Sequence, residues 1–473
     1  MLHPGLLNFT GKGPNMSKHR QITIGLGLVV LWGTLPASAC AQDYAGEWKV
    51  GLARVKITPT QPVYMAGYES RNHPSERIAS DLYAKALALE DHSGKAAVLV
   101  TADLIWLRGE LCDAVYAAVA AKTGLKREQI LFNASHIHTG PAPTRPSGQP
   151  EFGGNQNPRR DYRHNAEFTR QLQRQLADII LTALKTRTPA RLSWGQGVVS
   201  FPMNRREWTA RGVILGANPR GPADRSVPVL RVDAPDGKLR AVLFGAATHN
   251  TTLGPNCYAI CGDYAGFAQA YLEQAHPGVQ AMFMLGCAGD SDPYRNFHQE
   301  RPVARQMELA REHGRELSSE VDRVLAGGKL KPVRGPLRLA YGMTDLPLEA
   351  PGQEQSKQSS AKEGNPPGVV KARVAVWQFG KDLTLVALSG EVVVDYVHFV
   401  EQTLGPTQLW IAAYSNDVFG YLPSARLLRE GGYETHGVRG RRFASNAQDV
   451  LMAKVRELAA QVGRPLPQKQ GLR

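Results

Sequence analysis

Asn133-Ala134-Ser135-His136-Ile137-His138-Thr139-Gly140-Pro141 reads as the exit of a strand. The apolar run Gln129–Ala134 leads into it, and a Gly-Pro stop closes it. Two residues apart in extended chain, His136 and His138 project from the same face. Imidazoles so placed can share one metal, or one can ligate while its neighbour works on a substrate. Packed or solvated histidines are the plain alternative, and the His-x-His pattern alone does not choose.

Outward from this stretch, strand-like and amphipathic segments alternate. Strands are expected over Val50–Ile57, Leu82–Leu89, Ala97–Leu104, Gln129–Ala134, Arg240–Ala246, Gln280–Leu285, Val370–Gln378 and Thr384–Ser389. Helices are expected over Leu111–Thr123, Ala166–Lys185, Tyr264–Gln274, Arg305–Leu325, Val392–Leu404 and Ala447–Gln461. In Ala166–Lys185 the stripe Phe168, Leu172, Leu176, Ile179 and Ile180 has helical spacing. This alternation predicts an α/β class without fixing strand order. Pro141 to Arg163 is expected to be a long surface loop. Pro351 to Gly368 is expected to be a flexible insertion, a domain linker being the alternative.

The chain has 473 residues, 42% hydrophobic and 21% charged, which excludes disordered, collagenous and disulfide-framework proteins. That length allows about two to three domains, or one large α/β domain. Residues 1–41 read as a leader and signal peptide: Lys18, His19 and Arg20, an apolar stretch Ile22 to Leu35, then Ala37-Ser38-Ala39-Cys40-Ala41. The stretch is too short and too broken by glycine to span a membrane, and its small residues suit cleavage after Ala39 or Ala41. Export to the periplasm or medium is therefore expected. A lipid anchor on Cys40 and an uncleaved anchor are the lesser alternatives. Removing those residues takes away Lys12, Lys18 and Arg20 and no acid, so the net charge falls from +14 to +11. The remaining basic residues are dispersed in small groups such as Arg159-Arg160, Arg205-Arg206 and Arg439 to Arg442. No basic arm or zinc-finger spacing interrupts this pattern, which argues against nucleic acid as a partner and leaves an anionic membrane surface as a possible peripheral one.

Three further segments carry chemistry. His249 leaves the apolar run Phe244-Gly245-Ala246-Ala247-Thr248 and enters a polar loop, where scaffolded sites present ligands. Glu391 ends Leu385-Val386-Ala387-Leu388-Ser389-Gly390 and would begin a helix, where an acid is favoured for electrostatic reasons alone. Asn416-Asp417-Val418-Phe419-Gly420-Tyr421 is followed by Gly431-Gly432-Tyr433-Glu434. Cys257 and Cys261 could form a local disulfide in an exported chain, whereas Cys112 and Cys287 sit in apolar contexts that suit buried thiols. No cysteine-ligand zinc site is visible, so a metal here would take nitrogen and oxygen ligands.

Together these segments resemble the N-terminal catalytic domain of the neutral/alkaline non-lysosomal ceramidase family. The resemblance runs from Gly51-Leu52-Ala53-Arg54-Val55-Lys56-Ile57-Thr58-Pro59 and Met65-Ala66-Gly67-Tyr68 through Thr101-Ala102-Asp103 and the His-x-His core. It continues through Met203-Asn204-Arg205, His249, Gly289-Asp290, Ser389-Gly390-Glu391 and the two tyrosine segments. It implies an α/β fold of mixed sheets with flanking helices, one large catalytic domain over residues 46–462 and a basic tail over 463–473. It implies zinc (Zn2+) held by His136, His249, Glu391 and Tyr421. His138 and Tyr433 would polarise the scissile carbonyl, and Arg205 would line the same pocket, with Arg206 one register step away.

The implied chemistry is coherent. Two imidazoles and two oxygen anions suit zinc, which can bring the pKa of a bound water to about 7. Donors such as His138 and Tyr433 would stabilise the oxyanion of a cleaved amide or ester. The resemblance thus implies an exported zinc-dependent amidohydrolase of sphingolipid metabolism, acting on a ceramide-like lipid or another N-acyl amphiphile. Two departures keep alternatives open. Where the family has an active-site serine this chain has Asp292, with Ser291 one residue earlier as an expected turn serine. The chain also ends about 40 residues after Tyr433, without room for the family's C-terminal immunoglobulin-like domain. A binding protein on the same fold, and a zinc hydrolase of a nonlipid amide or ester, therefore stand beside the leading expectation.

Overall fold

Alternating burial decides how the sheets are used. In the strand Tyr83–Asp91, Ala84, Ala86 and Ala88 face one layer while Leu87 and Leu89 face another, the period of two that lets one sheet contact two cores. The computed structural model describes residues 48–145, 160–294, 301–349, 368–438 and 440–467. The leader and signal segment with Cys40, residues 146–159 of the loop expected from Pro141 to Arg163, residues 351–367 of the insertion expected from Pro351 to Gly368, Arg439 and tail residues 468–473 lie outside the described residues. Tyr44–Arg473 is one compact unit.

The larger sheet runs from Gln280–Leu285 through Leu239–Ala246, Ser226–Asp233, Thr188–Val198, Trp48–Lys56, Tyr83–Asp91 and Ala96–Ala102 to Ile130–Ala134. Only the pairs at its two ends are parallel. Parallel neighbours need a crossover, and helices Asp263–Ala275 and Gly109–Thr123 supply one at each end. A second sheet, Leu337–Pro347, Val369–Phe379, Leu383–Leu388 and Leu409–Ala412, has one more parallel pair, joined by helix Asp395–Leu404. The facing sides of the two sheets bury Trp48, Leu89, Leu230, Met282, Trp377, Leu385 and Trp410 in one core. Helix Arg163–Lys185 covers the outer side of the larger sheet with Phe168, Leu172, Leu176 and Ile180. Each such side chain contributes about 1.5–3 kcal/mol of burial.

The two end strands are brought together by segment 413–416, whose backbone bonds both Leu285 and residues 132–134, and by one side chain. Asn133 accepts from the Leu285 amide through Oδ1 (2.9 Å) and donates through Nδ2 to the Ala413 carbonyl (2.7 Å) and the Ser415 hydroxyl (3.1 Å). Three parallel strands, Ile130–Ala134, Gln280–Leu285 and Leu409–Ala412, therefore end at one place. Open α/β sheets bind ligands outside the carboxyl ends of their strands.

The α/β expectation holds, and each expected strand and helix is present within three residues of its expected ends. Strands Thr188–Val198, Pro202–Thr209, Gly212–Asn218, Ser226–Asp233, Leu337–Pro347 and Leu409–Ala412 were not foreseen. Four expectations need correction. Glu391 does not begin a helix: Glu391–Val392 pairs in parallel with Tyr421–Leu422, and the helix starts at Asp395. The loop from Pro141 does not begin on the surface, since residues 141–144 are buried, with Asn165 donating to the Ala142 carbonyl (2.9 Å). Cys257 and Cys261 are free, buried thiols. Arg464, at the head of the supposed tail, is buried and donates to the Leu404 and Thr407 carbonyls and the Thr384 hydroxyl.

Candidate active site

His136 follows strand Ile130–Ala134 but is not in extended chain. Its φ is 60°, and the amides of Ser135 and His136 continue the ladder to the Ala102 and Leu104 carbonyls (3.0 and 2.8 Å). The two histidines therefore converge through this left-handed step rather than through strand periodicity. Asn250, next to His249, donates to the Ser135 carbonyl (2.6 Å) and accepts from the His138 amide (3.3 Å) through its own carbonyl. One contact thus sets the His136–His138 segment against the His249 segment.

The segment Met65 to Tyr68 holds the second imidazole. Gly67 has φ +95°, and a Cβ there would lie 2.4 Å from His138 Cγ. The Tyr68 ring meets the His138 ring edge-on at 4.9 Å. Arg71, 3% exposed, donates to the Ala66, His138, Gly254, Pro255 and Cys257 carbonyls. Five backbone acceptors satisfy a buried guanidinium without a carboxylate. Glu391 is set by Gly390, whose φ of +93° and contact with Phe419 leave no room for a Cβ, which would fall 2.7 Å from the ring.

His136, His138 and His249 present ligand atoms within 4.8 Å of one another, all buried or nearly so. His136 and His249 each donate Nδ1–H to a backbone carbonyl, of Ile105 and Ala288, both at 2.8 Å. Such a bond fixes the tautomer and turns the Nε2 lone pair inward. Glu391 Oε2 lies 3.2 Å from His136 Nε2 and 3.4 Å from His249 Nε2, and it is buried without a hydrogen-bond donor. Tyr421 Oη is 3.4 Å from His249 Nε2, and His138 Nε2 is 3.2 Å from His136 Nε2. Lone pairs facing a carboxylate repel one another, and a cation among them removes that repulsion. This donor set fits a divalent metal of the zinc type.

Burial, reinforced by His136 and His249, holds the His138 imidazole well below its ordinary range, and burial with the Arg205 charge lowers His249. Both are neutral, as ligands or hydrogen-bonding groups at pH 7 must be. Burial lifts the Tyr421 phenol far above its usual value, with Arg205 opposing. Arg205 itself stays charged, because Tyr421, Asp292 and Glu434 outweigh its burial.

The structure brings His136, His138, His249, Glu391 and Tyr421 together and places Tyr433 at the rim, its ring 5.3 Å from Tyr421. Arg205 stands behind both tyrosines, its guanidinium 5.3 and 5.7 Å from their rings, and not in the cavity wall. It donates to Glu434 (3.0 Å) and Asp292 (3.3 Å), while Arg206 turns to Glu434 and Glu430. Ser291 closes the expected turn, its amide donating to the Ala288 carbonyl (3.0 Å). It lies fully buried in the short strand Ser291–Pro293, paired with Pro202–Asn204, and its carbonyl accepts the His249 amide (2.9 Å). Asp292 accepts from Arg205 and from the Thr251 hydroxyl (3.2 Å).

A cavity of about 300 Å³ opens onto these groups. One wall is apolar, made by Ile105, Trp106, Val418 and Phe419, and Glu69 and His436 add polar groups. Sequence reasoning gave no role to Trp106, to Asp290 or to Tyr414, whose ring packs 4.5 Å from that of His136. The carboxylate of Asp290 ties the Val394 amide (2.7 Å) to Asn204 (3.1 Å). The signal for Tyr414 was available: it closes the apolar strand Leu409–Ala412 just as His249 and Glu391 close theirs.

The profile of the family described as neutral/alkaline non-lysosomal ceramidase, N-terminal, matches residues 48–293. The fold is similar to a crystal structure of neutral ceramidase from Pseudomonas aeruginosa, with a TM-score of 0.69 and 17% identity over 89% of this chain and 76% of that one. A ceramidase complexed with C2 gives the same values. No curated protein matches the chain.

Proposed function

The chain belongs to the neutral/alkaline non-lysosomal ceramidase family, a family of hydrolases, and from that premise we propose that it is a zinc-dependent amidohydrolase cleaving an N-acyl linkage in a ceramide-like lipid or similar amphiphile. The observation that carries the reading is the convergence of His136 Nε2, His249 Nε2 and the donorless Glu391 Oε2 beneath a cavity with one apolar wall. His136, His249, Glu391 and Tyr421 would hold the ion. When bound, it supplies Lewis acidity and nucleophilic water near neutral pH.

The chain's own groups do the rest. Ile105 and Ala288 keep the Nδ1 protons of His136 and His249, so neither ring can turn its lone pair away. His138 and Tyr433 stand on the cavity wall, where an N–H and an O–H can donate to the developing oxyanion. Arg205 keeps a positive charge behind the two tyrosine rings, which makes each hydroxyl a better donor. The Ile105–Trp106–Val418–Phe419 wall accommodates an acyl chain and excludes water beside the scissile bond. Ser291, buried behind His249, has no part in the reaction. Export of the mature chain remains part of the proposal, on the composition of residues 1–41.

Metal analysis of the purified protein should find about one equivalent of zinc, and a panel of ceramides, N-acyl amino acids, esters and acylated sugars should show turnover that chelation removes. Stoichiometric metal without turnover of any member would leave a binding protein; turnover confined to the nonlipid members would leave a nonlipid hydrolase. Gly67→Ala tests the cradle. A Cβ 2.4 Å from His138 Cγ displaces the imidazole, and displacements of about 1 Å cost about 10²-fold. A fall in kcat of about that size is expected with zinc content unchanged. Unchanged kcat would remove His138 from the reaction.

A further inference from the structure

A β-hairpin beside the cavity has a surface that the proposed chemistry does not use. Its strands are Pro202–Thr209 and Gly212–Asn218. Trp208 is 61% exposed, Ile214 47% and Leu215 49%, a cluster of large apolar side chains within eight residues of chain. The register places Trp208 opposite Val213 and Arg206 opposite Leu215 on one face, with Ile214 opposite Glu207 on the other. Arg211, at the tip, and Arg220, just past the end of the edge strand, are exposed, and neither takes part in an ion pair among the described residues. The hairpin also abuts the cavity rim: a Cβ on Gly432 would lie 3.0 Å from Val213 Cγ1, and the next residue, Tyr433, lines the cavity.

We propose that this hairpin docks the protein on an anionic lipid surface, with Trp208, Ile214 and Leu215 entering the interface and Arg211 and Arg220 contacting its negative headgroups. Three observations favour lipid over a second copy of the chain. Apolar side chains project from both faces of the hairpin, and a flat protein surface covers only one, whereas a fluid interface covers both. Tryptophan, aliphatic residues and arginine are the combination that settles at the headgroup boundary. Finally, the edge strand is short, carries Gly212 and Gly216 and is followed by Pro219, with a register shift in its partner between Asn204 and Arg206, all of which discourage strand addition. The purpose of the docking rests on the lipid-hydrolase reading, since it would hold the cavity mouth at the surface where an acyl substrate resides. The docking itself is measured without turnover.

The test is co-sedimentation of the full chain with vesicles of phosphatidylcholine, with and without about one-third phosphatidylglycerol, at low and high salt. Binding to the anionic vesicles is expected to be at least tenfold stronger and to weaken with salt. Trp208→Ser/Ile214→Ser/Leu215→Ser should lose at least tenfold in vesicle binding, and so should Arg211→Glu/Arg220→Glu. Both variants should keep the thermal melting of the parent and its activity on a soluble short-chain substrate. Equal binding to both vesicle types, wild-type binding by the triple variant, or a wild-type dimer that the triple variant makes monomeric would each overturn the proposal. None of these results touches the hydrolase reading, which fails only if the soluble substrate is not turned over.

Discussion

Alanine at His249 is expected to leave the protein folded, without stoichiometric zinc, and with kcat/KM lowered by about three orders of magnitude or more. The ring is fully buried and its Nδ1 proton is committed to the Ala288 carbonyl, so its contribution to the site is the inward Nε2 lone pair. Without it, His136, Glu391 and Tyr421 remain of the four proposed ligands, a single imidazole with one carboxylate and a phenol that burial holds protonated, which should bind a divalent ion much more weakly. Both the metal and the water activation it supplies go together, and donors such as His138 retain only the part of catalysis that oxyanion hydrogen bonds provide, about 10²–10³-fold. His138→Ala is the informative companion. If His138 serves the substrate, metal content should persist and kcat should fall by about 10²–10³-fold. Loss of zinc in His138→Ala would instead make the three-histidine group the ligand set. Full metal content and turnover in His249→Ala would end the metal reading altogether.

What the sequence shows of this site follows from where strands stop. An apolar run that ends in a histidine or glutamate announces a polar group at a sheet's edge, and His136, His249 and Glu391 were legible for that reason. Helix Arg163–Lys185 was legible because its apolar stripe has no competing period. Strand Thr188–Val198 was not, although Ala190, Leu192 and Trp194 alternate inward, because two glycines and a proline read as loop. The left-handed step at His136 left no local signal, since histidine seldom takes φ near 60°. It is imposed by hydrogen bonds to Leu104 and Asn250, residues 32 or more positions away. Glu391 was misread for a similar reason: an acid before an amphipathic stretch looks like a helix start, and only the pairing with Tyr421 makes it a strand. Arg464 looked like tail because the carbonyls that bury it belong to another helix's end.

Asn133→Ala is expected to produce a large loss of stability, about 2–3 kcal/mol by urea unfolding. Alanine keeps the strand but leaves the Leu285 amide without the acceptor it has now at 2.9 Å, while the Ala413 carbonyl loses its 2.7 Å bond from Asn133 and keeps the one from the Ser415 hydroxyl (2.9 Å). A buried amide so orphaned costs about 1–3 kcal/mol, to which the lost bond to Ala413 adds. The effect should extend to function, because strands Ile130–Ala134 and Gln280–Leu285 share no backbone ladder with each other and meet directly through this side chain, otherwise only by way of the 413–416 backbone. If they separate, His136 moves relative to the Ala288 carbonyl that orients His249, and zinc affinity should fall by about 10–100-fold, the range for a disturbed supporting contact. Asn133→Asp divides the two halves of the clasp. A carboxylate still accepts from Leu285, but it buries a charge and sets an oxygen against the Ala413 carbonyl, so it should lose at least as much stability and zinc affinity as alanine. An aspartate variant more stable than the alanine one would place the whole effect in the bond from Leu285. A loss below about 0.5 kcal/mol for alanine, within the range of ordinary surface changes, would mean that the strand ends are held by the surrounding apolar core alone.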